Sequence, residues 1–216
     1  MKNVIHYVLI LDKSGSMQDI KPVVIKSFNE QVDLIRKLQS EQPEAKIRVS
    51  LCSFNDAIQF HFMGTKAGNL EKLTSRDYQP GSVTALYDAI GQTWHRVTAE
   101  AKARHKLFFA VFTDGLENAS TEFTAEMVSE IIERCGAKGW EFRFFCRYEE
   151  RLLYKTRFNL PDQSICSMSL DQEGFREMNN QVMYCMKSML DLPEEEQEVK
   201  LGKKQRQGEG QSGAPF

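Results

Sequence analysis

No stretch of this 216-residue sequence approaches the roughly 18 to 20 consecutive apolar residues of a membrane-spanning helix, so no membrane segment is expected. The apolar run from Val4 to Leu11 meets no small-residue cleavage site before Asp12-Lys13-Ser14 and reads as folded structure rather than a signal sequence. An excess of one charge is also lacking. The 28 Lys and Arg nearly balance the 30 Asp and Glu, for a formal net charge of −2, so no global field favours a polyanion and nucleic acid is not expected as a partner. The five cysteines, at 52, 135, 146, 166 and 185, form no CxxC pair and no Cys-His group with zinc spacing. Odd in number and set in apolar runs, they read as reduced, buried thiols of a cytoplasmic protein. The absence of a GxxxxGK[ST] loop argues against an independent ATPase, and the absence of a GxSxG elbow against a serine hydrolase built on one.

What is present is an alternation of strands and helices from residue 4 to about residue 190. Val4 to Leu11 and Leu107 to Phe112 are apolar on both faces, as central strands of a covered parallel sheet must be. Val24, Phe28, Val32, Ile35 and Leu38 trace a helix to about Ser40, with Asp19 as its expected cap and Pro22 early in its first turn. Lys46 to Phe54, the Asn55-Asp56 turn and the alternation Ile58, Phe60, Phe62 read as an antiparallel hairpin at one sheet edge. Leu86, Ile90, Trp94 and Val97 mark a second helix. A third carries Val128, Ile131, Ile132 and Cys135 and stops at Gly136. Strands are expected over Trp140 to Cys146 and Ser164 to Met168. A final helix from about Gln172 to Leu190 places Phe175, Met178, Val182, Met186 and Met189 on one core-facing side. The expected fold is therefore α/β, a doubly wound, Rossmann-like, mostly parallel sheet with one antiparallel edge strand. It occupies residues 1–190, followed by a disordered polar tail over 191–216.

Three loops sit where ligands bind in doubly wound sheets: Asp12-Lys13-Ser14-Gly15-Ser16, Gly81-Ser82-Val83-Thr84 and Thr113-Asp114-Gly115. They offer carboxylates and hydroxyls, with no imidazole or thiolate among them. All-oxygen donors suit a hard divalent cation, Mg²⁺ or Mn²⁺. The glycines are expected to let the neighbouring turns bend.

Asp12-x-Ser14-x-Ser16, a threonine some seventy residues later and Thr113-Asp114-Gly115 together resemble the metal-ion-dependent adhesion site (MIDAS) of von Willebrand factor type A domains. Met17, Ser53-Phe54-Asn55-Asp56 and Thr84-Ala85-Leu86-Tyr87-Asp88-Ala89-Ile90 also resemble that family in context. The resemblance spans about residues 4–190. It implies that Ser14 and Ser16 bind the metal directly, Thr84 directly or through water, and Asp12 and Asp114 largely through water or one direct contact. The sixth position is left for a partner's Asp or Glu. Two departures from the family pattern stand out: Val83, where relatives have a small residue, and Phe144-Phe145-Cys146-Arg147-Tyr148, which replaces a small-residue strand end.

The implied function is metal-dependent protein binding by an intracellular adaptor or regulatory subunit, with an AAA+ ATPase complex among the candidate partners. The alternative is a hydrolase or phosphoryl-transfer enzyme using the same cation. It needs a positioned base, yet His6, His61, His95 and His105 lie outside the three loops, and no Ser-His pair is evident in the sequence. No catalytic residue is assigned. Glu117 and Asn118, just beyond Asp114, read as solvated loop residues, with a place on the ligand rim as the alternative.

Overall fold

The computed structural model describes residues 4–101 and 105–190. The polar tail expected over 191–216 lies outside the described residues. Six strands form one sheet: β1 (Val4–Asp12), β2 (Lys46–Phe54), β3 (Ile58–Lys66), β4 (His105–Phe112), β5 (Glu141–Cys146) and β6 (Ile165–Ser167). Their spatial order is β3-β2-β1-β4-β5-β6, and every pairing is parallel except β2 with β3 at the edge. Five helices flank the sheet: α1 (Lys21–Glu41), α2 (Leu86–Ala99), α3 (Ala125–Ala137), α4 (Arg151–Arg157) and α5 (Gln172–Met189). Among the described residues no helix is long and apolar enough to cross a membrane.

The doubly apolar strands are explained by two cores. Ile5, Tyr7, Leu9 and Leu11 of β1, with Phe108, Ala110 and Phe112 of β4, pack beneath α1 and α5. Val8 and Ile10, with Leu107, Phe109 and Val111, pack on the opposite face beneath α2, α3 and α4. Period-two geometry sends alternate residues to opposite faces, and here both faces are covered. The chain runs outward from β1 to β2 and β3, then crosses back to β4 on the other side of β1. The carboxyl ends of β1 and β4 therefore flank the topological switch point, where loops leave towards opposite faces and open a crevice.

One buried polar chain crosses the α1/α5 core. The Tyr7 hydroxyl donates to Gln31 Oε1 at 3.0 Å, and Gln31 Nε2 donates to Asn179 Oδ1 at 2.7 Å. Ser27 Oγ also donates to Asn179 Oδ1, at 3.2 Å, and Asn179 Nδ2 donates to Ser27 O at 3.2 Å. The last helix is thus tied by hydrogen bonds as well as by its buried methionines.

Several local expectations are corrected. Asp19 does not cap α1: Ile20 occupies the cap, no side chain bonds there, and a short 3-10 turn, Gly15–Gln18, intervenes. The third helix runs past Gly136 to Ala137, and the left-handed residue is Gly139 (φ 66°). α4 was not anticipated, its seven residues being too few to display a stripe. The alternation of β3 is interrupted by register shifts opposite Val49 to Cys52, near Gly64 (φ 57°), whose N–H donates to Ser50 Oγ at 2.9 Å.

His6 of β1 is buried, its Nε2 lying 2.8 Å from Ser50 Oγ. Burial first, then the positive neighbours His105 and Arg48, push its pKa down from 6.5 to about 4. The unfolded chain thus takes up this proton before the folded one does. The associated stability is complete above pH 6.5 and falls as pH drops towards 4, losing about 2 kcal/mol between pH 7 and pH 5. Urea unfolding at those two pH values is expected to show this loss as a wild-type excess over His6→Gln, whose amide keeps the Ser50 contact. An identical pH response in the two proteins would refute the assignment.

Candidate metal centre

Asp12 ends β1 with its carboxylate fully buried. Its Oδ1 accepts from Ser14 N at 2.6 Å and its Oδ2 from Thr113 Oγ1 at 2.6 Å, which fixes the side chain between two of the three loops. Tyr78 adds a hydroxyl bond of 2.5 Å to the Asp12 carbonyl from beneath. Ser14 Oγ lies 3.2 Å from Ser16 Oγ, and Ser16 Oγ donates to Asp114 Oδ1 at 2.6 Å. The two ends of the sheet's switch point are thereby joined through hydroxyls.

Thr84 reaches the same place. A methyl group added at Gly115 would stand 3.5 Å from Thr84 Oγ1, 3.5 Å from Ser16 Oγ and 3.7 Å from Ser14 Oγ. Three hydroxyl oxygens from two separate loops therefore surround one small volume, and the hydrogen side chain of Gly115 keeps that volume free. Gly15 serves close approach in a similar way, its Cα lying against the Ser82 carbonyl that accepts its N–H at 3.0 Å. Neither Gly15, Gly81 nor Gly115 has positive φ. The left-handed position in the threonine loop belongs to Ser82 (φ 66°), and Val83 turns outward at 43% exposure. The departure at Val83 is thus accommodated by a strained serine before it.

Electrostatics set these residues apart. Burial pushes the Asp12 carboxyl up to about 6 despite its hydrogen bonds from Thr113 and Ser14, and nearby Asp114 adds to the effect. Asp114 is raised too, chiefly by burial, with Ser16 and the Arg147 guanidinium opposing. Among the described residues neither carboxylate has a salt-bridge partner. Two buried acids, neither in a salt bridge among the described residues, lie with three hydroxyls and suit a hard cation with oxygen ligands. Among the described residues no group of three or more His, Cys, Asp or Glu could hold a metal; any metal bound here would depend on serine and threonine hydroxyls.

The residues that position the site were largely missed. Asn118 brackets Thr84: its Oδ1 accepts from Thr84 N at 2.9 Å, and its own N–H donates to Thr84 O at 3.0 Å. Glu117 accepts from Tyr87 N at the start of α2 and from Ala119 N, Ser120 N and Ser120 Oγ within its own loop. Asp88 accepts from Thr121 N, Glu122 N and Phe123 N, at 2.8, 2.9 and 2.8 Å. The Tyr154 hydroxyl of α4 donates to the Gly115 carbonyl. Glu117 and Asn118 are therefore structural anchors of the threonine loop rather than free rim residues. An acid in the first turn of α2 was the one available signal for Asp88.

Histidines do not enter this cluster, but one expectation about them changes. The structure pairs His61 Nε2 with Ser53 Oγ at 2.7 Å, a Ser-His contact that sequence spacing did not reveal. Ser53 is fully buried, which leaves its hydroxyl no route to a substrate. All five cysteines are unpaired and four are buried. Burial pushes Cys52, Cys135 and Cys146 up to about 12, as for inert core thiols.

A family model described as the von Willebrand factor type A domain matches residues 7–140. No curated protein matches significantly. Among solved structures, proximal thread matrix protein 1 (PTMP1) from the mussel byssus is 12% identical, over 84% of this chain and 45% of its own, with a TM-score of 0.60. The PilB minor pilin from Streptococcus sanguinis is 10% identical, over 89% of this chain and 63% of its own, at a TM-score of 0.65. PTMP1 with a zinc-occupied MIDAS motif is 13% identical, over 82% and 46%, at 0.57. The chain spans between about half and two thirds of these structures, and at such identities the likeness is one of fold.

Proposed function

Because the chain belongs to the von Willebrand factor type A domain family, we propose that it is a metal-dependent protein-binding module. In this reading Asp12, Ser14, Ser16, Thr84 and Asp114 hold Mg²⁺ or Mn²⁺, and a partner's Asp or Glu completes the coordination. The observation that carries it is the convergence of three hydroxyls on the volume above Gly115, with two buried carboxylates behind them. Neutral hydroxyl ligands would leave much of the ion's charge uncancelled, so an incoming carboxylate is attracted and a neutral side chain is not. The zinc-occupied MIDAS motif of PTMP1 lends support by analogy of fold.

The partner class follows from the same reading: a protein presenting an exposed acid, for which an AAA+ ATPase complex is one candidate. Unpaired, buried thiols favour a reducing compartment, the cytoplasm. An adaptor or regulatory role fits a hydroxyl cluster to which, among the described residues, no histidine is hydrogen-bonded.

Affinity capture from the source lysate tests the reading. Proteins retained in Mg²⁺ should be released by EDTA, and neither Asp12→Ala nor Thr84→Ala should retain them. Equal retention by all forms in both buffers would reject metal-mediated capture.

A further inference from the structure

Below β6 the edge of the sheet is open. Among the described residues β6 pairs only with Phe144, Phe145 and Cys146, whereas β5 begins at Glu141. Cys146 O accepts from Met168 N on the β6 side, and Phe145 O accepts from Thr113 N on the β4 side. Strand groups alternate, so the Phe142 N–H and C=O turn outward, away from β4. Two residues back per step from Met168, a continued ladder would send Ser164 N to the Phe142 carbonyl. Ser164 N donates instead to Pro161 O at 2.8 Å, within the 3-10 turn Asp162–Ser164, and the Phe142 carbonyl meets the Arg143 guanidinium at a long 3.5 Å.

A cleft of about 310 Å³ opens at this point, lined by Ile132, Phe158, Trp140, Glu141, Phe142 and Arg143 among others. Its two walls differ. Phe142, Ile132 and Phe158 belong to the core beneath α3 and α4, and Trp140 packs against them. Alternation sends Glu141 and Arg143 to the other face of the strand, where they pair at 3.1 Å with side chains 40% and 17% exposed.

One segment of this chain matches both walls. α5 ends beside β4, where Lys106 Nζ donates to Met189 O at 2.8 Å, two residues before Phe108, the register partner of Glu141. The edge position beside β5 is two strand spacings from β4, about 10 Å. The stretch from Asp191 to Glu198 spans up to about 26 Å when extended, which leaves slack for the descent from helix to sheet. Glu198-Val199-Lys200-Leu201 alternates charged and apolar residues. Run antiparallel to β5, it sets Glu198 opposite Arg143, Val199 opposite Phe142, Lys200 opposite Glu141 and Leu201 opposite Trp140. Each charge then meets its opposite, and each apolar side chain meets the apolar wall. The parallel arrangement with Lys200 at Glu141 leaves Gly202 at Arg143, and a slip of one residue turns Val199 and Leu201 to the charged side.

We propose that residues 198–201 dock on the open edge of β5 and fill the place beneath β6 as a short antiparallel strand. Phe142 and Val199 form a hydrogen-bonded pair, each N–H donating to the other's carbonyl. The amides of Glu198 and Lys200 turn away from the sheet. This site lies at the opposite end of β5 from the hydroxyl cluster and is independent of the cation reading.

Amide exchange in the full chain, followed residue by residue by NMR, tests the docking. The Val199 amide is expected to exchange at least about tenfold more slowly than those of Glu198 and Lys200, after correction for intrinsic rates. Val199→Asp, which sets a carboxylate against Phe142, should cancel the protection at position 199 and speed exchange at Phe142. Lys200→Glu should weaken the protection, and Glu141→Lys in the same chain should restore it. A Val199 amide that exchanges as fast as its neighbours overturns the docking, and protection that survives Val199→Asp overturns the register. Protection that grows with protein concentration over about a tenfold range assigns the segment to the edge of a second copy and overturns its seat within one chain.

Discussion

Saturating Mg²⁺, at about a hundred times its dissociation constant, is expected to stabilise this protein by about 2.7 kcal/mol, a rise of roughly 5–10 °C in melting temperature for a domain of this size. Asp12→Asn is expected to erase that rise. Asp12 is fully buried and holds a charge without a salt-bridge partner, so a divalent ion relieves a cost that the metal-free fold carries. Asparagine preserves the shape. Its oxygen can still accept from Ser14 N, and its amide can donate to Thr113 Oγ1, whose own proton can turn to the Gly115 carbonyl 3.1 Å away. The variant should therefore fold, and in EDTA it should be no less stable than wild type, since the unpaired charge is gone. Differential scanning fluorimetry of both proteins with and without Mg²⁺ decides the matter. An equal magnesium response in the two would remove Asp12 from the site.

A second large effect is expected at a residue with no donor facing the cluster. The Asp88 carboxylate accepts three consecutive backbone N–H groups, those of Thr121, Glu122 and Phe123, and so holds the 117–123 segment across the start of α2. Asp88→Ala leaves those three donors and the helix start without their anion, at a cost of about 3 kcal/mol. The same segment carries Asn118, which grips Thr84 from both backbone sides. Magnesium affinity should therefore drop at least about tenfold, a loss of roughly 1.4 kcal/mol in binding. Asn118→Ala should lose affinity with a smaller loss of stability. Urea unfolding combined with calorimetric Mg²⁺ titration reads both quantities. If Asp88→Ala is destabilised yet binds Mg²⁺ as wild type does, the segment does not position Thr84.

That Asp12, Ser14, Ser16, Thr84 and Asp114 stand on three loops at one end of the sheet was legible because each lies beside a turn at a strand end or a helix start; that they hold a cation is the proposal. The sheet was legible because Val4 to Leu11 and Leu107 to Phe112 are apolar on both faces, which only central parallel strands require. The supports were not legible. Asn118 and Asp88 act on backbone groups about thirty residues away, and no periodicity announces such bonds. The Ser53–His61 pair likewise depends on the β2/β3 register. Asp19 misled because a cap is inferred from residue type alone, whereas a 3-10 turn over Gly15–Gln18 precedes the helix, which starts at Lys21 with Ile20 as its cap. α4, with seven residues, is shorter than the windows over which a pattern can be read, whereas the strand expected over Ser164 to Met168 is present as the three residues of β6.

The polar node beneath α5 limits how that helix can respond to anything happening at the cation end. Sliding it by one turn, about 5.4 Å, would bring Phe175 or Met183 to the place of Asn179, and neither offers a donor or an acceptor. Gln31 and Ser27 would lose their amide partner in a dry core, at about 1–3 kcal/mol for each stranded group. A tilt with Asn179 as its fulcrum strands none of them. Pivoting is therefore the low-cost motion of α5, and piston-like travel is the one its interior latch opposes.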